Sequence, residues 1–200
     1  MMSIKPFIYR IIIDPLLSTV RDGVLSKISP GESVIDIACG NGTLAFGIAT
    51  VAGAVTAIDL DAEMIDYATE RKTKLKLTNI TFTAADASDL SAFSDKQFGT
   101  AVTTMAVHQF DADVALKVLK EMKRVASRVI IADYNIPLPR SAAGLFASGI
   151  ERLAGGDHFR NFSKFRAKGG LSHFIGSAGL RVRESVVRGS GVFVVAEAEE

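Results

Sequence analysis

Short apolar runs alternate along the chain with longer segments in which apolar residues recur at about every third or fourth position. The short runs are typical of buried strands, and the longer segments have the spacing of helices that pack on one face. Strands are predicted between Gly31 and Gly40 and at Ala54–Asp59, Asn79–Ala87, Gln97–Val107, Arg128–Ala132, Leu180–Arg188 and Val192–Ala196. The alternation predicts an α/β fold with a parallel sheet, and the last two strands form a predicted hairpin.

The helical segments are marked by capping residues and interrupted by glycines. Residues 1–30 form a predicted helical arm, in which Pro15 suits a first turn. Asp61 and Asp111 stand where helix caps are expected. The apolar stripe that follows Asp111 comprises Val114, Val118, Met122 and Val125. Residues 135–178 are a predicted helical insertion, broken at Gly155-Gly156 and Gly169-Gly170.

A glycine-rich corner follows the first predicted strand. Gly40 and Gly42 permit backbone angles and close ligand approaches that a side chain would obstruct. Asp36 lies just before this corner, where a carboxylate would repel the pyrophosphate of a dinucleotide. S-adenosylmethionine carries a sulfonium, an ammonium and one carboxylate, so an adjacent acid attracts it. The corner is therefore predicted to bind that cofactor.

Two further predicted strands end in carboxylates. Asp59 ends the second strand, 19 residues beyond Gly40, and Asp86 ends the third. A carboxylate at the tip of a neighbouring strand can accept both hydroxyl hydrogens of a ribose. Three strand-end acids in this order are more specific than a glycine loop alone.

The segment Val34-Ile-Asp-Ile-Ala-Cys-Gly-Asn-Gly42 resembles the first motif of the class I S-adenosylmethionine-dependent methyltransferases. Ala38 departs from the family pattern, which has Gly there, and Gly99 stands where the fourth strand usually opens with Asp. The resemblance extends over nearly the whole chain. It implies an α/β fold, a single Rossmann-like domain over residues 1–200. The implied sheet has seven strands, is mostly parallel, ends in a C-terminal antiparallel hairpin and has helices on both faces.

The resemblance also implies a reaction and a cofactor site. The implied reaction moves the methyl group of S-adenosylmethionine to a small-molecule acceptor and releases S-adenosylhomocysteine. Asp59 would accept from the ribose hydroxyls and Asp86 from the adenine amino group, while the N–H of Ala87 would meet a ring nitrogen. The predicted cofactor-binding residues are Asp36, Ala38, Gly40, Gly42, Asp59, Leu60, Asp86 and Ala87.

Candidate residues for the acceptor side follow the fourth strand, form the segment Asp133-Tyr134-Asn135 after the fifth strand, and lie within the helical insertion. His108 has a side chain whose unperturbed pKa suits a general base, and an uncharged, packed histidine fits the position equally well. His158 lies between the two glycine pairs, where a helix that begins at Asn161 is the alternative interpretation. His108 and His158 are predicted as catalytic residues, and Tyr134, Arg160 and Asn161 as substrate contacts.

Composition limits the possible partners. The net charge of +1, from 23 basic and 22 acidic side chains, provides no field for nucleic acid or an anionic membrane. The lone Cys39 rules out an intramolecular disulfide and a multi-cysteine metal site, and no metal is predicted. No stretch approaches the length of a membrane span. We expect a cytoplasmic protein that acts on a small molecule.

Two other functions are compatible with these motifs. A non-catalytic protein that binds S-adenosylmethionine or a partner would carry the same residues. An NAD-dependent oxidoreductase could use Gly40, Gly42 and Ala45 as a Gly-x-Gly-x-x-Ala loop with Asp59 downstream. Under that interpretation neither Asp36 nor Asp86 has a role.

Overall fold

The computed structural model describes residues 17–200. Its strands are β1 (Ser33–Ile37), β2 (Ala54–Asp59), β3 (Ile80–Ala84), β4 (Phe98–Thr104), β5 (Ala126–Tyr134), β6 (Arg181–Arg188) and β7 (Phe193–Glu199). They form one seven-stranded sheet in the order β3-β2-β1-β4-β5-β7-β6. Strands β1 to β5 are parallel, whereas β7 is antiparallel to β5 and β6. The predicted fold class, with its C-terminal antiparallel hairpin, is confirmed.

Helices connect these strands. They are α1 (Ser18–Leu25), α2 (Thr43–Ile48), α3 (Ala62–Leu75), α4 (Ala112–Val125), α5 (Ala142–Ala154), α6 (Gly156–Ala167) and α7 (Leu171–Ser177). Gly155 and Gly170 have φ values of +65° and +69°, which side chains rarely adopt, so the last three helices are separated at the predicted glycine breaks. No helix within residues 17–200 is both long enough and apolar enough to cross a membrane.

Apolar side chains are buried on both faces of the sheet. Successive residues of β1 point to opposite faces, as in any strand. Ile35 packs in a core that includes α4, α6 and α7, with Leu119, Met122, Phe162, Phe165 and Phe174 among its members. Val34 packs in a second core formed with α1 and α2, which includes Val24, Leu44 and Ile48. The sheet is therefore covered by helices on both sides, as predicted.

The fourth strand is shorter than predicted. It ends at Thr104 rather than at Val107, because Met105 adopts a left-handed conformation with φ of +54° and the chain turns. A 3-10 turn at Val107–Gln109 then carries His108. His108 is consequently displaced from the strand end to the turn beyond it.

Two cap predictions and one predicted buried position need correction. Asp111 precedes α4, but its side chain makes no capping hydrogen bond with the described residues and instead accepts from Lys164 Nζ at 3.1 Å. Asn161 lies inside α6 rather than at a helix start. Val114 of the predicted buried stripe is 37% exposed. Within the predicted N-terminal arm, residues 1–16 lie outside the described residues, and α1 accounts for most of the remainder.

Candidate active site

The carboxyl ends of the five parallel strands meet at one edge of the sheet. The register places Asp59 beside Ala84, so the ends of β2 and β3 are adjacent. It also places Thr104 beside Ala132, so the loop after β4 lies next to the end of β5. Open α/β sheets bind ligands at this edge.

The two glycines of the β1–α2 loop have different roles. A Cβ on Gly40 would meet no heavy atom within 4 Å, whereas a Cβ on Gly42 would lie 2.7 Å from Phe82. Gly42 therefore allows the loop to pack on β3, and Gly40 leaves open space at the sheet edge. Ala38 has φ of +57°, a conformation that costs a side chain energy and that Gly adopts freely. This cost of a side chain at positive φ explains why the family usually has Gly at the position of Ala38.

Asp59 ties the β1–α2 loop to the end of β2. The N–H of Gly40 donates to Asp59 Oδ2 at 2.7 Å, and the N–H of Asp61 donates to Asp59 Oδ1 at 2.9 Å. Each carboxylate oxygen has a further lone pair. The side chain can therefore accept hydrogen bonds from ligand hydroxyls while it holds the loop.

A cavity of about 550 Å³, the first cavity, opens beside this loop. Its volume is in the range of small-molecule sites. Leu60, which is 75% exposed, offers an apolar surface that a flat ring could cover. The predicted cofactor residues in its lining are Ala38, Gly40, Asp59, Leu60, Asp86 and Ala87. Asp36 and Gly42 are not among the lining residues.

Asp36 lies behind the loop and is only 1% exposed. Its Oδ2 has no hydrogen-bond partner among the described residues. Burial, reinforced by the charge of Asp59, raises the pKa of Asp36 to about 8. Burial also raises the pKa of the Cys39 thiol, with Asp36 and Asp59 adding to the shift, so the thiol stays protonated and is a poor nucleophile. A cation near the loop would stabilise the ionised form of Asp36.

A second cavity, of about 490 Å³, lies on the other side of the end of β4. Most of its wall is apolar, and it includes Leu17, Phe146, Ala147, Ile150, Val192 and Phe193. One part of the wall is polar and contains His108, Tyr134, Glu151 and His158. The cavity therefore suits a largely apolar molecule with one polar group.

The polar part of this wall belongs to a connected buried cluster. His108 Nδ1 lies 2.7 Å from Asp133 Oδ1, and the Tyr134 hydroxyl donates to Glu151 Oε1 at 2.7 Å. His158 Nδ1 lies 2.9 Å from Glu151 Oε2, and His108 Nε2 lies 3.6 Å from Glu151 Oε1. We refer to Asp133, His108, Tyr134, Glu151 and His158 as the polar cluster.

The charges within the cluster shift its pKa values. Burial by itself would lower the pKa of His108, but the carboxylate of Asp133, followed by that of Glu151, raises this pKa above its ordinary value. Burial by itself would raise the pKa of Glu151, but contacts with His158 and His108 bring it below its ordinary value. Positive charge is therefore favoured between the two carboxylates.

Met105 lies where the two cavities meet. It lines both of them, together with Gln109. Its backbone N–H donates to the carbonyl of Ala132 at 2.8 Å, which fixes its left-handed backbone at the end of β4. In the sequence, Met105 is distinguished from other apolar residues only by its position directly after the fourth strand. The two cavities are therefore adjacent, with Met105 and Gln109 in the wall of each.

The structure brings some predicted acceptor residues together and leaves others apart. His108, Tyr134 and His158 line the second cavity, but Arg160 and Asn161 line neither cavity. Arg160 pairs with Asp157 at 2.7 Å. Asn161 Nδ2 donates to the backbone carbonyl of Gln109 at 2.8 Å, which holds the turn after β4.

Asp133 and Glu151 complete the polar cluster. Asp133 belongs to the polar segment after the fifth predicted strand that was expected on the acceptor side, whereas Glu151 was not predicted as a site residue. Glu151 stands among the apolar and charged residues of α5, where a carboxylate normally faces solvent. Its burial depends on how α5 packs over β5, which no local pattern reveals.

Residues 34–128 match the family described as "Methyltransferase domain". The chain is 32% identical over 114 residues to an O-methyltransferase of Penicillium expansum, a match that covers 56% of this chain and 41% of that protein. It is 29% identical over 124 residues to a ubiquinone/menaquinone biosynthesis C-methyltransferase of Rhizobium etli, covering 58% of this chain and 48% of that protein. The matches thus span less than half the length of these curated relatives.

Solved structures share the fold over almost the whole chain. A SAM-dependent methyltransferase from Aquifex aeolicus superposes with a TM-score of 0.71 at 22% identity, covering 96% of this chain and 97% of that one. A geranyl diphosphate methyltransferase, solved with GPP and sinefungin, gives a TM-score of 0.64 at 15% identity, covering 90% of this chain and 77% of that one. Residues 34–128 thus match the methyltransferase-domain family, and the chain shares the fold of these solved methyltransferases.

Proposed function

We propose that the protein transfers the methyl group of S-adenosylmethionine to a small, largely apolar acceptor. The observation that carries this proposal is the junction of the two cavities at Met105. Methyl transfer requires the sulfonium and the nucleophile to be held in line and nearly in contact. One cavity with strand-end carboxylates beside a second, largely apolar cavity with a polar cluster supports such an arrangement.

The first cavity has the groups that the cofactor needs. We assign the ribose hydroxyls to the free lone pairs of Asp59 and the adenine to Asp86, Ala87 and the exposed side chain of Leu60. The open space at Gly40 admits the ligand, and the unpartnered oxygen of Asp36 favours its cationic end. When bound, S-adenosylmethionine supplies a methyl group that is already activated by the sulfonium.

We assign the acceptor to the second cavity. The apolar wall binds the body of the molecule, and the polar cluster, with His108 and His158, suits a hydroxyl as the nucleophile. The names of the fungal and Rhizobium relatives support an acceptor that is a small molecule. Asn161 acts indirectly through Gln109 in this proposal, and a substrate contact by Arg160 stays a prediction.

The proposal retains the predicted single domain over residues 1–200, with residues 135–178 as the cover of the acceptor. Helices α5 and α6 of that segment contribute Glu151 and His158 to the cavity wall, which supports this role.

The unpaired Cys39 favours a cytoplasmic location. The near-neutral net charge favours a small-molecule partner over nucleic acid.

Asp59→Ala is expected to weaken S-adenosylhomocysteine binding about tenfold to a hundredfold, because the ribose loses an acceptor for two hydroxyls. Isothermal titration calorimetry measures the affinity. Asp66→Ala is the matched control, since Asp66 is exposed on α3, and it should bind like the wild type. Equal affinities for the two variants would remove Asp59 from the site.

The burial of Asp36 predicts a pH dependence of stability. Because its pKa is raised from 3.8 to about 8 on folding, the folded state binds the extra proton, and this stabilisation is lost as pH rises towards 8. Asp36→Asn mimics the protonated acid. It should therefore be more stable than the cofactor-free wild type at pH 8, by a few kcal/mol at most, and nearly equal to it at about pH 4.

Urea unfolding of both proteins at several pH values tests this. Asp66→Asn, at an exposed position, should track the wild type throughout. A stability difference between Asp36→Asn and the wild type that stays constant with pH would contradict the assigned pKa.

Turnover tests the function itself. Incubation of the protein with S-adenosylmethionine and fractionated metabolite extracts should release S-adenosylhomocysteine in amounts that match a methylated product. His108→Ala and His158→Ala should slow this by about a hundredfold, with S-adenosylhomocysteine affinity within about threefold of the wild type. His173→Ala, which removes an exposed histidine, is the control. Tight cofactor binding without turnover in any fraction would instead indicate a non-catalytic binding protein.

A further inference from the structure

Three side chains of the polar cluster converge on one point. His108, Glu151 and His158 each offer a potential metal ligand, and these ligand atoms lie within 4.8 Å of one another. The residues come from three elements, namely the 3-10 turn after β4, α5 and α6. The fold therefore assembles two imidazoles and one carboxylate from separate parts of the chain.

The short contact between Glu151 and His158 is not an ordinary hydrogen bond. Glu151 Oε2 and His158 Nδ1 lie 2.9 Å apart, yet both atoms are buried without a hydrogen-bond partner of acceptable geometry among the described residues. Two ligands bound tetrahedrally to Zn²⁺ at about 2.0 to 2.2 Å lie roughly 3.3 to 3.6 Å apart. The 3.6 Å between His108 Nε2 and Glu151 Oε1 matches that separation, and the 2.9 Å between His158 Nδ1 and Glu151 Oε2 is shorter by a few tenths of an ångström.

The neighbours of these residues hold them in a ligating arrangement. Asp133 Oδ1 lies 2.7 Å from His108 Nδ1, and Asp133 Oδ2 accepts from the backbone N–H of His108 at 3.1 Å. When Nδ1 donates to Asp133, Nε2 is the His108 atom that remains for a metal ion, and it lies 3.6 Å from Glu151 Oε1. The Tyr134 hydroxyl holds the other ligand residue through Glu151 Oε1. Carboxylates and hydroxyls in these positions commonly orient metal ligands.

The two carboxylates of the cluster lie away from fixed positive charge. Asp133 and Glu151 are both almost completely buried. Across residues 17–200, neither carboxylate pairs with a Lys or Arg, and each lies against a histidine instead. Buried carboxylates require a compensating positive charge.

We propose that His108, Glu151 and His158 bind one divalent transition-metal ion, with Zn²⁺ as the ion best matched to their chemistry. Two imidazoles and one carboxylate form a common protein site for Zn²⁺, and catalytic zinc sites of this kind keep an open coordination position. All three residues line the second cavity, so a bound ion would lie at the wall of the assigned acceptor site.

The role of the ion rests on the proposed function, although its binding does not. A hydroxyl oxygen of the acceptor in the open position would have its pKa lowered by the ion, and its proton would pass to water in the cavity. The methyl group would then be transferred to that oxygen. Under this proposal His108 and His158 act as ligands rather than as the general base.

Calorimetric titration of chelator-treated protein with Zn²⁺ tests the site. One ion per chain is expected, and Glu151→Gln and His158→Gln should each weaken binding at least tenfold. His173→Gln is the matched control, because it removes the third histidine of the chain at an exposed position, and it should leave the affinity unchanged. Co²⁺ in place of Zn²⁺ should give visible absorption bands that the two cluster variants lose.

Titration of the same preparations with S-adenosylhomocysteine separates the two proposals. Retained binding and an unchanged circular dichroism spectrum show that a variant is folded. Wild-type protein that binds S-adenosylhomocysteine but no Zn²⁺ would overturn the metal site, as would Zn²⁺ affinity that falls only in His173→Gln. Wild-type protein that binds Zn²⁺ but not S-adenosylhomocysteine would overturn the proposed function and leave the metal site standing.

Discussion

The hydrogen bond from the Gly40 N–H to the carboxylate of Asp59 is the contact on which the cofactor half of the site depends. It joins the loop after β1 to the end of β2 at a distance of 2.7 Å. With the loop held there, Gly42 packs on Phe82 and Gly40 is left facing open space. One carboxylate therefore both shapes the first cavity and offers lone pairs to its ligand.

Buried negative charge is common to both halves of the site. Asp36 lies behind the first cavity, and Asp133 and Glu151 lie at the wall of the second. In the described part of the chain, none of these three carboxylates pairs with a Lys or Arg. Each half therefore stabilises positive charge that arrives from elsewhere, namely a sulfonium in the first cavity and a proton or metal ion in the second.

The lining of the first cavity could largely be predicted from sequence because its residues follow the ends of successive strands, where a local pattern fixes both the element and its direction. The lining of the second cavity could be predicted only in part. His108, Tyr134 and His158, which were expected on the acceptor side, line it, but Glu151 is brought to them by the packing of α5. Met105 was not predicted because its position depends on a left-handed turn that ends β4 early. Arg160 lines neither cavity and pairs with Asp157 of its own helix.

We propose that the methyl group passes from the first cavity to the second beside Met105. A crystal structure of the protein with S-adenosylhomocysteine would locate the sulfur. We expect adenosine between Asp59 and Asp86, with the sulfur beside Met105 and facing the cavity that contains His108. A complex with the ligand in the second cavity, or with the sulfur directed away from Met105, would contradict this path for the methyl group.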